Sequence, residues 1–414
     1  MIKIRQGALL AFVLVGCGSD APPVASVAKD VTLIDSSLAR LQNVSLIRAG
    51  DKFTLAGYDS GQVQWGRLSL DGVLTPEVPF ALSRTDGGPM PVFAATQKST
   101  PGDQLIAIAV TNSATTSGGY DLTATAQTLG AASPAAPIVL KSFPAGTDLS
   151  TVQIAAGAAA SGTLGYVAWG IRVPGIPISY LTLPADAITA AAPSTMLDRS
   201  VPADVPKWDC LASANRSTGF SLSAVSVNPS GASSDFQTAE VSETGDTIFM
   251  TYPLTVMVES CRIVGSPDPT GNYYMAMQGS MQGNSAIDFA TYYPPPPPDL
   301  QADGTVTTYH PVLPAAVFGD PLSMPRPAWV TSAGGDVVIG LARKSGPQVF
   351  RYTYNAIPHG STLTLRSGNG DSGPVAAWVG DDAAYITYTD SVKSNGTTSV
   401  RRYFMRIESP ASLP

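Results

Sequence analysis

Short apolar runs of four to seven residues recur along this chain, each opened by a turn that carries glycine. No long stretch keeps the three-to-four-residue spacing of an amphipathic helix, so the runs predict strands. One phrase returns: Gly-Asp or Gly-Thr, then alternating or continuous apolar positions. It stands at Gly50-Asp51, Gly102-Asp103, Gly162-Thr163, Gly245-Asp246, Gly335-Asp336 and Gly380-Asp381. The steps between these are 52, 60, 83, 90 and 45 residues, and the two longest leave room for one further unit each. Glycine supplies the positive φ of such a turn, and an adjacent aspartate bonds its own backbone two residues on.

A polar turn and a second strand follow each phrase. Val63 to Leu70 comes after Asp59-Ser60-Gly61, and Val349 to Tyr354 comes after Ser345-Gly346. The final unit runs Ala384 to Thr389, then Ser394-Asn395-Gly396, then Val400 to Ile407, with Asn-Gly as a hairpin signal. A unit of about 50 residues with three or four short strands fits one propeller blade. Seven blades over residues 41–411 average about 53 residues each; six would average about 62 and eight about 46. The expected fold is therefore all-β, a β-propeller of about seven blades of three to four antiparallel strands. One or two β-sandwiches share the short strands and turns. Recurrence of a single phrase favours the propeller, although no blade-wide signature such as Trp-Asp at strand ends accompanies it.

Composition supports the β reading and narrows the partners. Gly 39 and Pro 35 among 414 residues are too many for a helical bundle. Charged residues make up 13%, about half the usual share, and the net charge is −7. That balance argues against a phosphate-binding surface, so nucleic acid is not an expected partner. The polar surface must be built largely from Ser, Thr, Asn and Gln, which suits contact with neutral glycans or proteins.

The first residues carry Lys3 and Arg5, then the apolar run Ala8 to Val15, then Gly16-Cys17. A basic start and a short apolar core read as an export signal, too short to span a membrane. Leu14-Val15-Gly16-Cys17 resembles the lipobox of bacterial lipoproteins, in which small residues precede a cysteine. The resemblance implies cleavage before Cys17 and lipidation of that residue. With Gly18 rather than aspartate next, it implies the outer membrane of a two-membrane bacterium. No specific family is identified for the body. The expected organisation is a signal peptide over 1–16, a lipidated tether over 17–40 and the propeller over 41–411.

Cys210 and Cys261 remain for a compartment that permits disulfides, and a bridge between them is expected. Two separately buried thiols are the alternative. The chain has two histidines, His310 and His359, each at a turn beside proline, and their spacing does not ask for a metal. Asp381-Asp382, Glu240, Glu243 and Glu259 form no pair whose spacing asks for acid–base work. Asn369 and Asp371 sit in a glycine-rich turn too short for a calcium loop. No catalytic, cofactor-binding or metal residue is therefore expected. Tyr273, Tyr274, Tyr292 and Tyr293, beside five prolines at 294–298, are the candidate binding surface. The expected function is a cell-envelope lipoprotein, held to the bilayer through Cys17, that binds or scaffolds a protein or glycan. The alternative is a hydrolase or lyase acting on an envelope or extracellular polysaccharide with carboxylates at the channel mouth.

Overall fold

The computed structural model describes residues 31–34, 37–49, 52–96, 102–159, 161–173, 176–184, 188, 193–196, 210–216, 219–227, 234–242, 244, 247–253, 262–267, 273–281, 284–292, 316–317, 326–333, 336–342, 348–353, 363–364, 376–379, 383–394 and 397–408. Its strands form seven antiparallel sheets of four strands each. Strand β1 (Val31–Ile34) comes first in the chain and belongs to the last sheet. Blade I is β2 (Gln42–Ala49), β3 (Lys52–Asp59), β4 (Gln62–Leu68) and β5 (Leu74–Pro76). Blade II is β6 (Val92–Thr96), β7 (Gln104–Asn112), β8 (Tyr120–Thr128) and β9 (Ile138–Phe143). Blade III is β10 (Val152–Ala158), β11 (Leu164–Ile171), β12 (Ile178–Pro184) and β13 (Ser194–Met196). Blade IV is β14 (Cys210–Arg216), β15 (Gly219–Val227), β16 (Ser234–Ser242) and β17 (Thr247–Pro253). Blade V is β18 (Arg262–Pro267), β19 (Tyr273–Met281), β20 (Asn284–Tyr292) and β21 (Ala316–Val317). Blade VI is β22 (Arg326–Ala333), β23 (Asp336–Ala342), β24 (Gln348–Thr353) and β25 (Leu363–Thr364). Blade VII is β26 (Ala376–Val379), β27 (Ala383–Ser394), β28 (Thr397–Glu408) and, outermost, β1.

The first strands of successive blades touch in the cyclic order β2, β6, β10, β14, β18, β22, β26 and back to β2, which makes the molecule a closed seven-bladed propeller. Below, the four strands of a blade are a to d, counted outward from that inner ring.

Five of the six recurrent phrases mark the a–b turn of a blade. Gly245-Asp246 does not: it lies between β16 and β17, the c–d step of blade IV. The intervals of 83 and 90 residues therefore hold two further a–b steps, from β14 to β15 and from β18 to β19. Blade IV uses Gly219 because the carbonyl of Val241 lies where a β-carbon would stand. A residue pattern tuned to Gly-Asp misses a glycine chosen for close approach.

The cores lie between blades, which explains why the b strands read as unbroken apolar runs. On β7, Leu105, Ala107 and Ala109 pack with Trp65, Phe80 and Phe93 on the side of blade I. The alternate residues Ile106, Ile108 and Val110 pack with Val167, Leu181 and Leu183 of blade III. Period two thus serves two cores from one strand. Blades III and IV meet through Tyr166 stacked on Phe220, centroids 4.0 Å apart and planes 12° off parallel.

Blades VII and I meet around Phe53, whose ring lies 4.6 Å from Tyr385 and 5.7 Å from Trp378. Closure is made by β1, which pairs antiparallel with β28 in the register Val31 with Met405 through Ile34 with Arg402. A 3-10 turn, Ser37–Arg40, then seats Leu38 and Leu41 in the same core. The folded body therefore begins by Val31, inside the stretch expected to be tether. Four residues with no turn phrase leave no local trace, and their partner stands at the other end of the chain.

Arg402 secures this junction. Its side chain is fully buried and donates Nη2–H to the carbonyl of Leu41 at 2.7 Å and Nη1–H to the Thr387 hydroxyl at 3.3 Å. Burial pushes the guanidinium down to about 9, so it remains cationic at neutral pH. The folded-state value lies below the unfolded one, so the burial penalty is complete below pH 9 and fades as pH rises above it. Arg402→Ala removes a buried donor from Leu41 and opens a cavity between blades VII and I. It should cost about 2 to 4 kcal/mol, read as a lower denaturant midpoint at unchanged slope.

Candidate functional site

Propeller topology sorts the connections onto two faces. Chain reversals between a and b, and between c and d, lie at one end of the strands. Those between b and c, and the links from d to the next blade, lie at the other. These are the a–b face and the b–c face.

The inner ring that both faces surround is held rigidly where its side chains are described. Strand β14 is laced to β10 at every second residue. The backbone N–H of Leu211 donates to Gln153 Oε1 at 2.9 Å, Ser213 Oγ donates to the carbonyl of Ala156 at 3.3 Å, and Asn215 Oδ1 accepts from the N–H of Ala158 at 3.1 Å. Asn215 Oδ1 also accepts from the Tyr166 hydroxyl at 3.0 Å. The first three of these bonds each give an inner-strand backbone group a side-chain partner from the neighbouring blade.

The b–c face across blades I to III carries the best-defined relief. Three connections meet there: residues 84–91 between blades I and II, residues 112–119 between β7 and β8, and residues 143–151 between blades II and III. Thr85 ties the first to β7, its N–H and hydroxyl both reaching the Val110 carbonyl, at 3.1 and 3.2 Å. The guanidinium of Arg84 donates to the carbonyls of Gly88 and Pro89 and lies over the Tyr58 ring, 5.5 Å from its centroid. In the second connection Ser113 Oγ accepts from the N–H of Thr116 at 3.2 Å, and Gly119 donates back to Thr116 at 3.0 Å. In the third, Asp148 caps a 3-10 turn, Leu149–Thr151, by accepting from the N–H and hydroxyl of Ser150 at 3.0 and 2.7 Å. Those bonds to the ionised form hold the Asp148 carboxyl below its ordinary value. Packing space at Gly88 is bounded by Leu149, and at Gly118 by Ala145, so the three loops adjoin.

Left exposed on this relief are Asp86, Thr115, Thr116, Asp148, Ser150 and Arg172. Hydroxyls, carboxylates and one guanidinium on loops braced by internal hydrogen bonds form a display of hydrogen-bonding groups. Such a display recognises a polar ligand with little ordering cost. No sequence motif marks it; Ser, Thr, Asp and Gly in turns read first as turn chemistry.

The sequence-derived residues fall elsewhere. Register pairs Tyr273 with Tyr292 and Tyr274 with Thr291, at the a–b end of blade V. Cys210 opens β14 opposite Val225. Glu240 lies within β16, opposite Ser221 and Ile248. Cys17, Cys261, Tyr293, Glu243, Glu259, His310, His359, Asn369, Asp371, Asp381, Asp382 and the prolines 294–298 lie outside the described residues. Among the described residues no three His, Cys, Asp or Glu side chains group closely enough to hold a metal ion, and no helix is long and apolar enough to cross a membrane.

No family model matches this chain, and no curated protein does. Solved structures do resemble it. The polysaccharide lyase Uly1 superposes with a TM-score of 0.56 over 90% of this chain and 91% of its own, at 9% identity. An ulvan lyase of polysaccharide lyase family PL25 superposes at 0.53, over 92% of this chain and 95% of its own, also at 9% identity. The same family's lyase bound to -[GlcA(1-4)Rha3S]- gives 0.52 at 8% identity, over 93% and 96%. At such identity the likeness is one of fold. The class of protein defined here is a complete single-ring β-propeller, with nearly the whole described chain inside the ring.

Gly157 tests the rigidity of that ring. A β-carbon there would meet Asn215 Oδ1 and the Tyr166 hydroxyl. Gly157→Ala should break the lacing between β10 and β14 and cost about 1 to 3 kcal/mol, read by thermal unfolding.

Proposed function

We propose that this protein is a cell-envelope lipoprotein whose propeller binds a polar partner, a glycan or a protein, on its b–c face. Cys17 carries the lipid, the bilayer is the anchor, and the outer membrane is the site in a two-membrane bacterium. The observation that carries the binding reading is the set of adjoining loops 84–91, 112–119 and 143–151. They are braced by internal hydrogen bonds, and polar groups on them are exposed. Cys210 and Cys261 form the proposed disulfide of this exported body.

Two results test it. In the native host the full chain should partition with membranes, and Cys17→Ser should move it to the soluble fraction; equal partitioning of both forms overturns the anchor. The body, residues 22–414, should retain a host surface polysaccharide or envelope protein. Asp86→Lys combined with Asp148→Lys should weaken retention at least about tenfold, since each reverses a charge within the display. Retention unchanged by the pair would remove the b–c face from the reading.

A second reading is favoured by the full-length fold likeness to polysaccharide lyases. A lyase removes the proton beside a uronate carboxylate and expels the glycosidic oxygen, leaving a carbon–carbon double bond at the new end. Rising ultraviolet absorbance on mixing with uronate polymers is the expected sign of that activity. A retained polymer of unchanged length and absorbance leaves binding as the function.

A further inference from the structure

The register of β1 fixes where the N-terminal segment joins the ring. Val31 pairs with Met405, toward the end of β28 that meets the a–b turn of blade VII, and Ile34 pairs with Arg402, deeper in the blade. The chain therefore enters the outer rim of blade VII from the a–b face and leaves toward the b–c face. Thirteen residues, 18 to 30, separate Cys17 from this entry point.

Length turns that entry point into an orientation. Thirteen residues of random-coil chain have a root-mean-square span of about 20 Å. An eight-residue strand, typical of the b strands here, is about 26 Å long and sets the thickness of the ring. Turning the b–c face to the bilayer would make the segment cross that thickness at the rim before reaching the lipid. That route takes more than half of the segment's fully extended length, about 45 Å, whereas an a–b face turned to the bilayer takes none of it.

We infer that the a–b face of the propeller is turned to the bilayer surface that holds the lipid on Cys17, and that the b–c face is presented away from it. This rests on the lipoprotein reading above. It assigns the two faces different partners. Lipid headgroups neighbour the a–b and c–d turns, including Leu70 and Val73, exposed at 42% and 64% in the c–d turn of blade I. The loop display at Asp86, Thr115 and Asp148 meets whatever lies beyond the envelope surface. The register also puts Tyr273 and Tyr292 at the membrane-side end of blade V, not among the outward loops.

The test uses the acylated full chain on vesicles of phosphatidylethanolamine and phosphatidylglycerol. A short protease-recognition sequence is inserted after Ser60, in the b–c turn of blade I, or after Asp71, in its c–d turn; both residues are exposed. Each rate is compared with that of the same variant released by detergent, so any effect of the insertion on folding cancels. On vesicles, cleavage after Asp71 should slow about tenfold and cleavage after Ser60 should change less than about twofold, as expected for a body whose root-mean-square tether span is less than the thickness of the ring. Equal slowing at both sites, no slowing at either, or slowing at Ser60 alone overturns the orientation while the anchor stands. A chain that does not float with vesicles, and whose Cys17→Ser form behaves identically, overturns the anchor and the orientation with it.

Discussion

Everything in this propeller depends on an edge being closed. A ring of sheets stacked blade on blade buries both faces of every b strand only if the last blade meets the first. Until then Phe53, Tyr385 and Phe404 lack their partners across the junction. Strand β1 supplies the closure by giving blade VII its outermost strand from the opposite end of the chain. It also covers Arg402 to Met405 on the outer edge of β28, where the strand would otherwise present unpaired backbone groups. Arg402 then links three elements of the junction: it sits on β28 beside β1, and its guanidinium reaches the carbonyl of Leu41, just before β2.

Closure has a functional consequence because it decides how the faces differ. Blades hold their loops at fixed separations, so the connections 84–91, 112–119 and 143–151 present their polar groups without waiting for a ligand to order them. The same strand that closes the ring delivers the N-terminal segment to the opposite face. One short pairing therefore closes the body and, on the proposed orientation, separates the proposed anchor from the proposed binding surface.

Much of the architecture was legible in the sequence, for a physical reason. Strands buried on both sides must be apolar throughout, and the turns between them need glycine, so Gly50-Asp51, Gly102-Asp103 and Gly380-Asp381 announced blades. The hairpin at Asn395-Gly396 was readable too, and β27 and β28 pair as far as Ser394 with Thr397 around it. What escaped was non-local. The pairing of Val31–Ile34 spans the chain, Gly219 is required by the Val241 carbonyl rather than by a turn phrase, and Gly245-Asp246 imitates an a–b turn at a c–d step. The loop display escaped because exposed serines and threonines look alike in sequence whether or not a scaffold gathers them. The tyrosines at 273 and 292 were visible as a cluster, but only the register tells which face they share.

Hydrogen exchange along β28 tests closure most directly. In the body beginning at residue 22, amides over Arg402 to Met405 should be protected by the pairing with β1, and those of β2 and β26 by the junction it completes. Starting the chain at residue 36 removes β1 and keeps the 3-10 turn. Protection should then fall at 402–405 and along β2 and β26, while the lacing between β10 and β14 retains more of its own. Unchanged exchange at 402–405 and at the blade VII–I junction would contradict the account, because the ring would then close without the strand on which both its stability and its orientation are argued to rest.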